Sequence, residues 1–294
     1  MRIVGHRGTP SCPQRAENTL PSIRVALEAG ADGVEVDVQA TSDGVLVLAH
    51  DPDLSRVLGL GPGTGPVVGQ TPFAALRELR LPNGECIPTL TEALDVAARW
   101  HAFIVTEVKP EAGGAAAARA AGLLAGLLHA RRVHRPGVDR VTTTSFDLHA
   151  AASLAGCGSV SGALIVAPHV DPDVAARRAR DRGLTDVHLN PVHVRRDRDV
   201  VHRVRGLGLL VSVGVVNDPD EARLMTRLGV DMICTDDPIG FARLRTSAVL
   251  SGIRGVERAA GGLPVTTLGI REQTSAHGRC LSSRPWSHEV RWQV

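Results

Sequence analysis

Residues 2–10 read Arg2-Ile3-Val4-Gly5-His6-Arg7-Gly8-Thr9-Pro10, and this stretch separates two candidate folds. Ile3 and Val4 are β-branched and apolar, so Arg2–Gly5 reads as a short strand that runs into a turn. A doubly wound sheet announces itself with a Gly-rich dinucleotide-binding turn after its first strand. His6-Arg7-Gly8-Thr9-Pro10 does not carry that glycine spacing and presents ionisable side chains instead. Outward from there, strand-like runs recur at Gly33–Val38, Phe103–Val108, Arg140–Thr144, Ser161–Val166, Asp186–Asn190, Leu209–Gly214 and Asp231–Thr235. Helical patterns lie between them, at 19–29, 90–100, 112–131, 147–154, 172–182, 197–206, 218–228 and 237–245. Eight strand–helix units in residues 1–245 predict an α/β fold, a (β/α)8 TIM barrel.

Two stretches break the alternation. After the second strand comes an extra apolar run, Val45–Ala49, and then a Gly/Pro-rich loop over Gly59–Gly69. This insertion, about 51–88, follows a strand and precedes a helix, which places it over the active face of a barrel, where it would shape substrate access. Residues 246–294 mix Ser, Gly, Arg and Thr without sustained periodicity and read as a flexible C-terminal tail or an aberrant terminus.

Composition narrows the function classes. Aromatics are 2% of 294 residues and Tyr is absent, which argues against a platform that stacks nucleic-acid bases. The net charge of +2 comes from the tail, since residues 1–245 carry 27 basic and 28 acidic side chains. Such a body is no electrostatic trap for DNA or anionic lipid. Five widely spaced cysteines form no C-x-x-C and fit a reducing compartment. With no secretory pattern at the N-terminus and apolar runs too short to cross a bilayer, the expectation is a soluble, cytoplasmic protein without stable membrane insertion.

In a barrel, chemistry sits at the C-terminal ends of the strands. The first strand ends at His6-Arg7. The second carries Glu35 and Asp37, two apart and therefore on one face. The insertion's strand ends at His50-Asp51, and the next barrel strand carries Glu107 and Lys109, again two apart. Three carboxylates at neighbouring strand ends repel one another unless a cation joins them, and all-oxygen ligands suit Mg²⁺ or Ca²⁺ better than Zn²⁺. Two flanking histidines can move protons in both directions near neutral pH. Arg7 and Lys109 add positive charge for an anionic substrate. Together these groups describe phosphodiester hydrolysis. Other candidates are plainer. Arg177, Arg178, Arg180, Arg182, Arg195, Arg196 and Arg198 alternate with Asp and read as solvated faces. Cys12 reads as an ordinary thiol, and His188, His193, Ser145 and Asn190 receive no role.

The chain resembles the glycerophosphodiester phosphodiesterase family, whose barrel belongs to a wider phospholipase C-like group. The resemblance is carried by His6-Arg7-Gly8, Ala16-Glu17-Asn18-Thr19, Gly30-Ala31-Asp32-Gly33-Val34-Glu35-Val36-Asp37, Asp43-Gly44 and His50-Asp51-Pro52-x-Leu54-x-Arg56. It continues through Ile87-Pro88-Thr89-Leu90, Glu107-Val108-Lys109-Pro110, Ser145-Phe146-Asp147, Gly229-Val230-Asp231 and Thr235-Asp236-Asp237-Pro238. The resemblance implies His6 and His50 as the general acid/base pair, Glu35, Asp37 and Glu107 as ligands of one divalent cation, and Arg7 and Lys109 as phosphate-binding groups. Glu17 would orient the His6-Arg7 loop, or act only as a favourable charge in a helix's first turn.

The implied reaction is metal-dependent hydrolysis of a small glycerophosphodiester to glycerol 3-phosphate and an alcohol. The alternatives are lysophospholipase D-like hydrolysis, for which the insertion would offer an apolar surface, and a non-catalytic barrel that binds a phosphate ligand. In one place the chain departs from the family. A Trp-Thr-Val-Asn stretch is common near the end of the seventh barrel strand, whereas this chain has Gly214-Val215-Val216-Asn217. That implies a pocket wall without its aromatic and with room for a bulkier group.

Overall fold

A computed structural model describes residues 1–11, 16–109, 114–155 and 161–245. Among these described residues nine strands form one sheet: β1 (Arg2–Gly5), β2 (Gly33–Ala40), β3 (Leu46–Leu48), β4 (Phe103–Val108), β5 (Arg140–Ser145), β6 (Ser161–Val166), β7 (Asp186–Leu189), β8 (Leu210–Gly214) and β9 (Met232–Thr235). The order is β1-β9-β8-β7-β6-β5-β4-β2-β3, and a further β1–β2 pairing closes eight parallel strands into a barrel. The TIM-barrel expectation is met. β3 lies outside the closed ring; it pairs antiparallel with β2, and its Val47 also forms an isolated bridge with Thr89. That hairpin carries β2 two residues beyond the expected Val38, because Gln39 and Ala40 find partners in Val47 and Leu46.

Alternation along each strand sorts side chains into two environments. In β2, Val34, Val36 and Val38 are fully buried against the helices, while Glu35, Asp37 and Gln39 point the other way. The valines join Ile104, Val108, Leu90 and Leu94 in one apolar layer between sheet and helices. Ile3, Val187, Leu189, Val211, Val213 and Ile233 build the corresponding layer on the other side of the barrel. The barrel interior holds a small cluster of Val4, Phe103, Val105 and Cys234. Apolar packing thus fills the lower barrel and leaves the strand ends to polar groups.

Several helices begin at a side-chain cap. Thr19 accepts from Ser22 N–H ahead of the helix Leu20–Glu28, whose second residue is proline. Thr89 and Glu92 form a reciprocal capping box ahead of Leu90–Arg99. Some short elements escape the sequence pattern: Ser55–Leu58, Val68–Gln70 and Phe73–Glu78 in the insertion, and Pro191–Arg196 after β7. The last has a legible signal in Asn190-Pro191, since Asn190 Oδ1 accepts from Val192 N–H.

The insertion has its own apolar cluster of Val47, Ala49, Leu54, Val68, Leu76 and Ile87, with Phe73 packed against it. No helix among the described residues is long and apolar enough to cross a membrane. The expectations for Cys12, Cys157, Cys280 and the 246–294 tail fall outside the described residues.

Candidate active site

The strand ends of the barrel enclose a cavity of about 270 Å³. His6, Arg7, Glu35, His50, Glu107 and Lys109 line it, together with an apolar rim that includes Phe146, Ile165 and Val215. Glu35, Asp37 and Glu107 are all buried, and one oxygen of each lies within 4.8 Å of the other two. Adjacent strands and matched register bring them together, with Asp37 paired to Glu107 across β2 and β4.

The turn after β1 is held in an unusual backbone path. Arg7 has φ 50°, Gly8 φ 88° and Asn18 φ 56°. A side chain on Gly8 would collide with Ser22, so glycine is required there. The path aims Arg7 N–H at Glu35 Oε2 (3.0 Å). Asn18 embraces Asp37 from the same side, donating through Nδ2 to Oδ2 (2.8 Å) and accepting from the Asp37 N–H (3.1 Å).

The two cations expected to bind phosphate are engaged with carboxylates. Lys109 Nζ lies 2.7 Å from Glu107 Oε1 and 3.0 Å from Asp37 Oδ1. Arg7 Nε lies 3.2 Å from Asp37 Oδ2, and its Nη1 donates to Glu17 Oε1 at 3.0 Å. Glu17 also takes two hydrogen bonds from Arg56, which in turn reaches Asp51 through Nε at 2.6 Å. Glu17 therefore links Arg7 of the first turn to Arg56 of the insertion.

Each histidine is anchored by an aspartate through Nδ1. His6 meets Asp236 Oδ1 at 2.7 Å, and His50 meets Asp51 Oδ1 at 2.6 Å. Asp236 takes a second bond from Asn217 Nδ2. Gln39 Nε2 donates to the carbonyls of Ala49 and His50, which fixes the His50 loop on β2. The sequence reading did not single out Asp236, Asn217, Asn18 or Gln39. Asp51 was visible beside His50, and Asp236 and Asn18 stand in quoted motifs, but their partners are known only once the barrel closes.

The electrostatics show a negative excess. Burial opposes ionisation of Asp37, yet the Lys109 and Arg7 charges outweigh it and hold its carboxyl below the usual range. Glu35 goes the other way, pushed up to about 8 by burial and by the Asp37 charge. Its Oε1 is buried without a hydrogen-bond partner. Three carboxylates face two cations here, and a buried oxygen is left over. The donor set fits one hard divalent cation held by Glu35, Asp37 and Glu107. At His6, burial lowers the pKa, but the Asp236 hydrogen bond and the Glu35 charge prevail and raise it above its ordinary value.

The unassigned residues separate. His188 and Asn190 line the cavity. His193 is buried, with its Nε2 bonded to the Ala167 carbonyl, and Ser145 donates to the Val108 carbonyl. The extra room expected at Gly214 is corrected, because a Cβ there would lie 3.0 Å from His188 Cε1 and Nε2 and 2.7 Å from Cys234 Cβ. The imidazole already occupies that space.

Comparison with known proteins agrees with this geometry. A glycerophosphodiester phosphodiesterase of Caldanaerobacter subterraneus is 27% identical over 258 residues, covering 80% of this chain and 94% of that protein. Glycerophosphodiester phosphodiesterase 1 of mouse is 40% identical over 124 residues, 39% of this chain and 36% of the mouse protein. The crystal structure of a glycerophosphodiester phosphodiesterase from Parabacteroides distasonis superposes with a TM-score of 0.71 at 26% identity, covering 84% of this chain and 98% of that one. The family model described as the glycerophosphoryl diester phosphodiesterase family matches residues 6–239, from the first histidine to the helix after the last barrel strand, and this chain belongs to that family of phosphodiesterases.

Proposed function

We propose that the protein hydrolyses small, soluble glycerophosphodiesters to glycerol 3-phosphate and an alcohol, with His6 and His50 as the proton-transfer pair. The observation that carries this reading is the pairing of two Asp-anchored histidines around a carboxylate cluster one cation short. Asp236 and Asp51 are both held below the usual carboxylate range; burial opposes this, but the hydrogen bonds from His6 and from His50 and Arg56 outweigh it. Both therefore accept, each imidazole donates through Nδ1–H, and Nε2 is left on each ring to take or give a proton.

One Nε2 takes the proton of the oxygen that bonds to phosphorus. The other Nε2 gives a proton to the alcohol oxygen as its bond to phosphorus breaks. Arg7 and Lys109 line the cavity and orient the phosphate's negative oxygens. A bound Mg²⁺ or Ca²⁺ on Glu35, Asp37 and Glu107 supplies further positive charge at the phosphoryl group. Most of the insertion's large apolar residues, Phe73 included, pack in its own cluster and Leu60 is exposed singly, so the insertion offers little continuous apolar surface and soluble diesters are favoured over acylated ones.

The test is a chelated and dialysed enzyme assayed with Mg²⁺, Ca²⁺ or Zn²⁺ on glycerophosphoethanolamine, glycerophosphocholine and lysophosphatidylcholine, reading glycerol 3-phosphate. Mg²⁺ or Ca²⁺ should restore activity on the two soluble diesters better than Zn²⁺ does. Undiminished activity in excess EDTA rejects the cation, and lysophosphatidic acid as the dominant product supports the acylated substrate instead.

A further inference from the structure

His188 comes from β7, which stands four strands from β2 in either direction around the closed sheet. It shares the inward face of β7 with Asp186, while Val187 and Leu189 are fully buried in the outer apolar layer. Its side chain thus lines the cavity from the wall across the barrel mouth from the carboxylates.

The ring is fixed from its neighbouring strand. Its Nδ1 lies 3.0 Å from Ser212 Oγ, a residue level with it on β8 and itself buried. The ring also bonds to the backbone of Gly214 and stands where a side chain at 214 would project. Gly214 brings bare backbone to the ring, and the Cβ of Cys234 closes the space behind it. An imidazole held by two strands cannot swing aside cheaply for a larger ligand.

Ile165 stands level with His188 on β6 and Val215 follows Gly214, so apolar side chains flank the ring on the cavity wall beside the polar Ser212 and Asn190. Burial pushes the His188 pKa down to about 4, so the ring is uncharged at neutral pH and does not draw phosphate away from Arg7 and Lys109. The wall therefore meets the organic part of a phosphodiester with one neutral, rigid ring.

Resting on the phosphodiesterase reading above, we propose that His188 is a specificity-determining residue: its ring, wedged against Gly214, limits the size of the organic groups beside the phosphate, head group or glycerol, that the cavity accepts. Small alcohols such as ethanolamine and choline fit under this limit, and inositol or an acylated glycerol press on the ring.

The experiment measures kcat and KM of wild type, His188→Ala and His188→Phe. The substrates are glycerophosphoethanolamine, glycerophosphocholine, glycerophosphoinositol and lysophosphatidylcholine. Circular dichroism and Tm establish that each variant is folded. His188→Ala should raise kcat/KM for the two bulky substrates relative to glycerophosphoethanolamine by at least about tenfold, a range that pocket-size changes commonly give. Its kcat on glycerophosphoethanolamine should stay within about threefold, because the ring transfers no proton in the reaction. His188→Phe, which refills the space, should return the discrimination towards wild type; if that variant does not fold, the alanine variant decides alone. A substrate ordering unchanged within twofold in a folded alanine variant overturns the proposal. So does a loss of kcat of about a hundredfold on every diester, which would place His188 in the chemistry. Wild-type enzyme that turns over none of the four rejects the phosphodiesterase reading itself, and the specificity role falls with it.

Discussion

Lys109 is the one lysine among 33 lysine and arginine residues, in a chain that uses arginine wherever a generic positive charge is needed. Its ammonium is wedged between Asp37 and Glu107 at 3.0 and 2.7 Å, with 4% of the side chain exposed. A compact ammonium can sit between two carboxylates in so small a space, whereas a planar guanidinium is wider and donates along fixed directions. Lys109→Arg should therefore lower kcat/KM by at least about tenfold, on the order of 1.4 kcal/mol of transition-state stabilisation, although charge is conserved. Steady-state kinetics within twofold of wild type would show that charge alone suffices. For the two histidines the expectation is larger. His6→Ala and His50→Ala should each cost about 10²–10⁴-fold in kcat at unchanged circular dichroism, since each removes one proton-transfer partner. A near-wild-type rate in either variant removes that histidine from the mechanism.

The insertion is the element that brings His50 to the site, and it is stabilised by a cluster of its own rather than by the barrel layers. Leu54 and Leu76 are fully buried in that cluster. Leu76→Ala should destabilise the insertion by roughly 2–4 kcal/mol through lost burial and the cavity left behind. Hydrogen exchange should accelerate over residues 51–88 and leave β4 through β9 protected, while kcat falls as the His50 loop loosens. Exchange that rises uniformly around the barrel would show that the insertion and barrel unfold as one unit. This element also marks where sequence legibility ends. The barrel strands could be read because each has four to eight residues with a sustained pattern, and β2 displays its Val34-Val36-Val38 face against Glu35-Asp37. The insertion's helices, of four and six residues, are too short to show a period. The site residues at strand ends were legible for the same reason the strands were. The partners were not: His6 and Asp236 are 230 residues apart, and only the β1–β9 pairing makes them neighbours.

At the scale of the molecule, β1 is held between β9 and β2, which completes the ring, and the helical residues 238–245 complete the eighth unit. Phe241 and Ala242 are buried, Phe241 in the apolar layer with Ile3, Val230 and Ile233. Arg245 clips this last helix to the turn before β2, donating to Asp32 Oδ2 and to the Gly30 carbonyl, both at 2.6 Å. Asp32 Oδ2 in turn accepts from the Ile3 N–H, so the clip reaches the first strand. The strand pairings that close the barrel and the hydrogen bonds that anchor His6 and His50 lie within residues 1–245. We propose that residues 1–245 form the phosphodiesterase domain, and a chain ending at Arg245 should fold and retain kcat/KM within about twofold of full length. A cut a few residues earlier, before Phe241, should instead expose the β1–β9 side of the apolar layer; removing a buried phenylalanine alone costs about 3–5 kcal/mol. Comparing Tm and glycerophosphocholine turnover of the two truncations with the full chain separates the cases. Insolubility or lost activity in the chain ending at Arg245 would show that residues beyond it are needed to complete the enzyme.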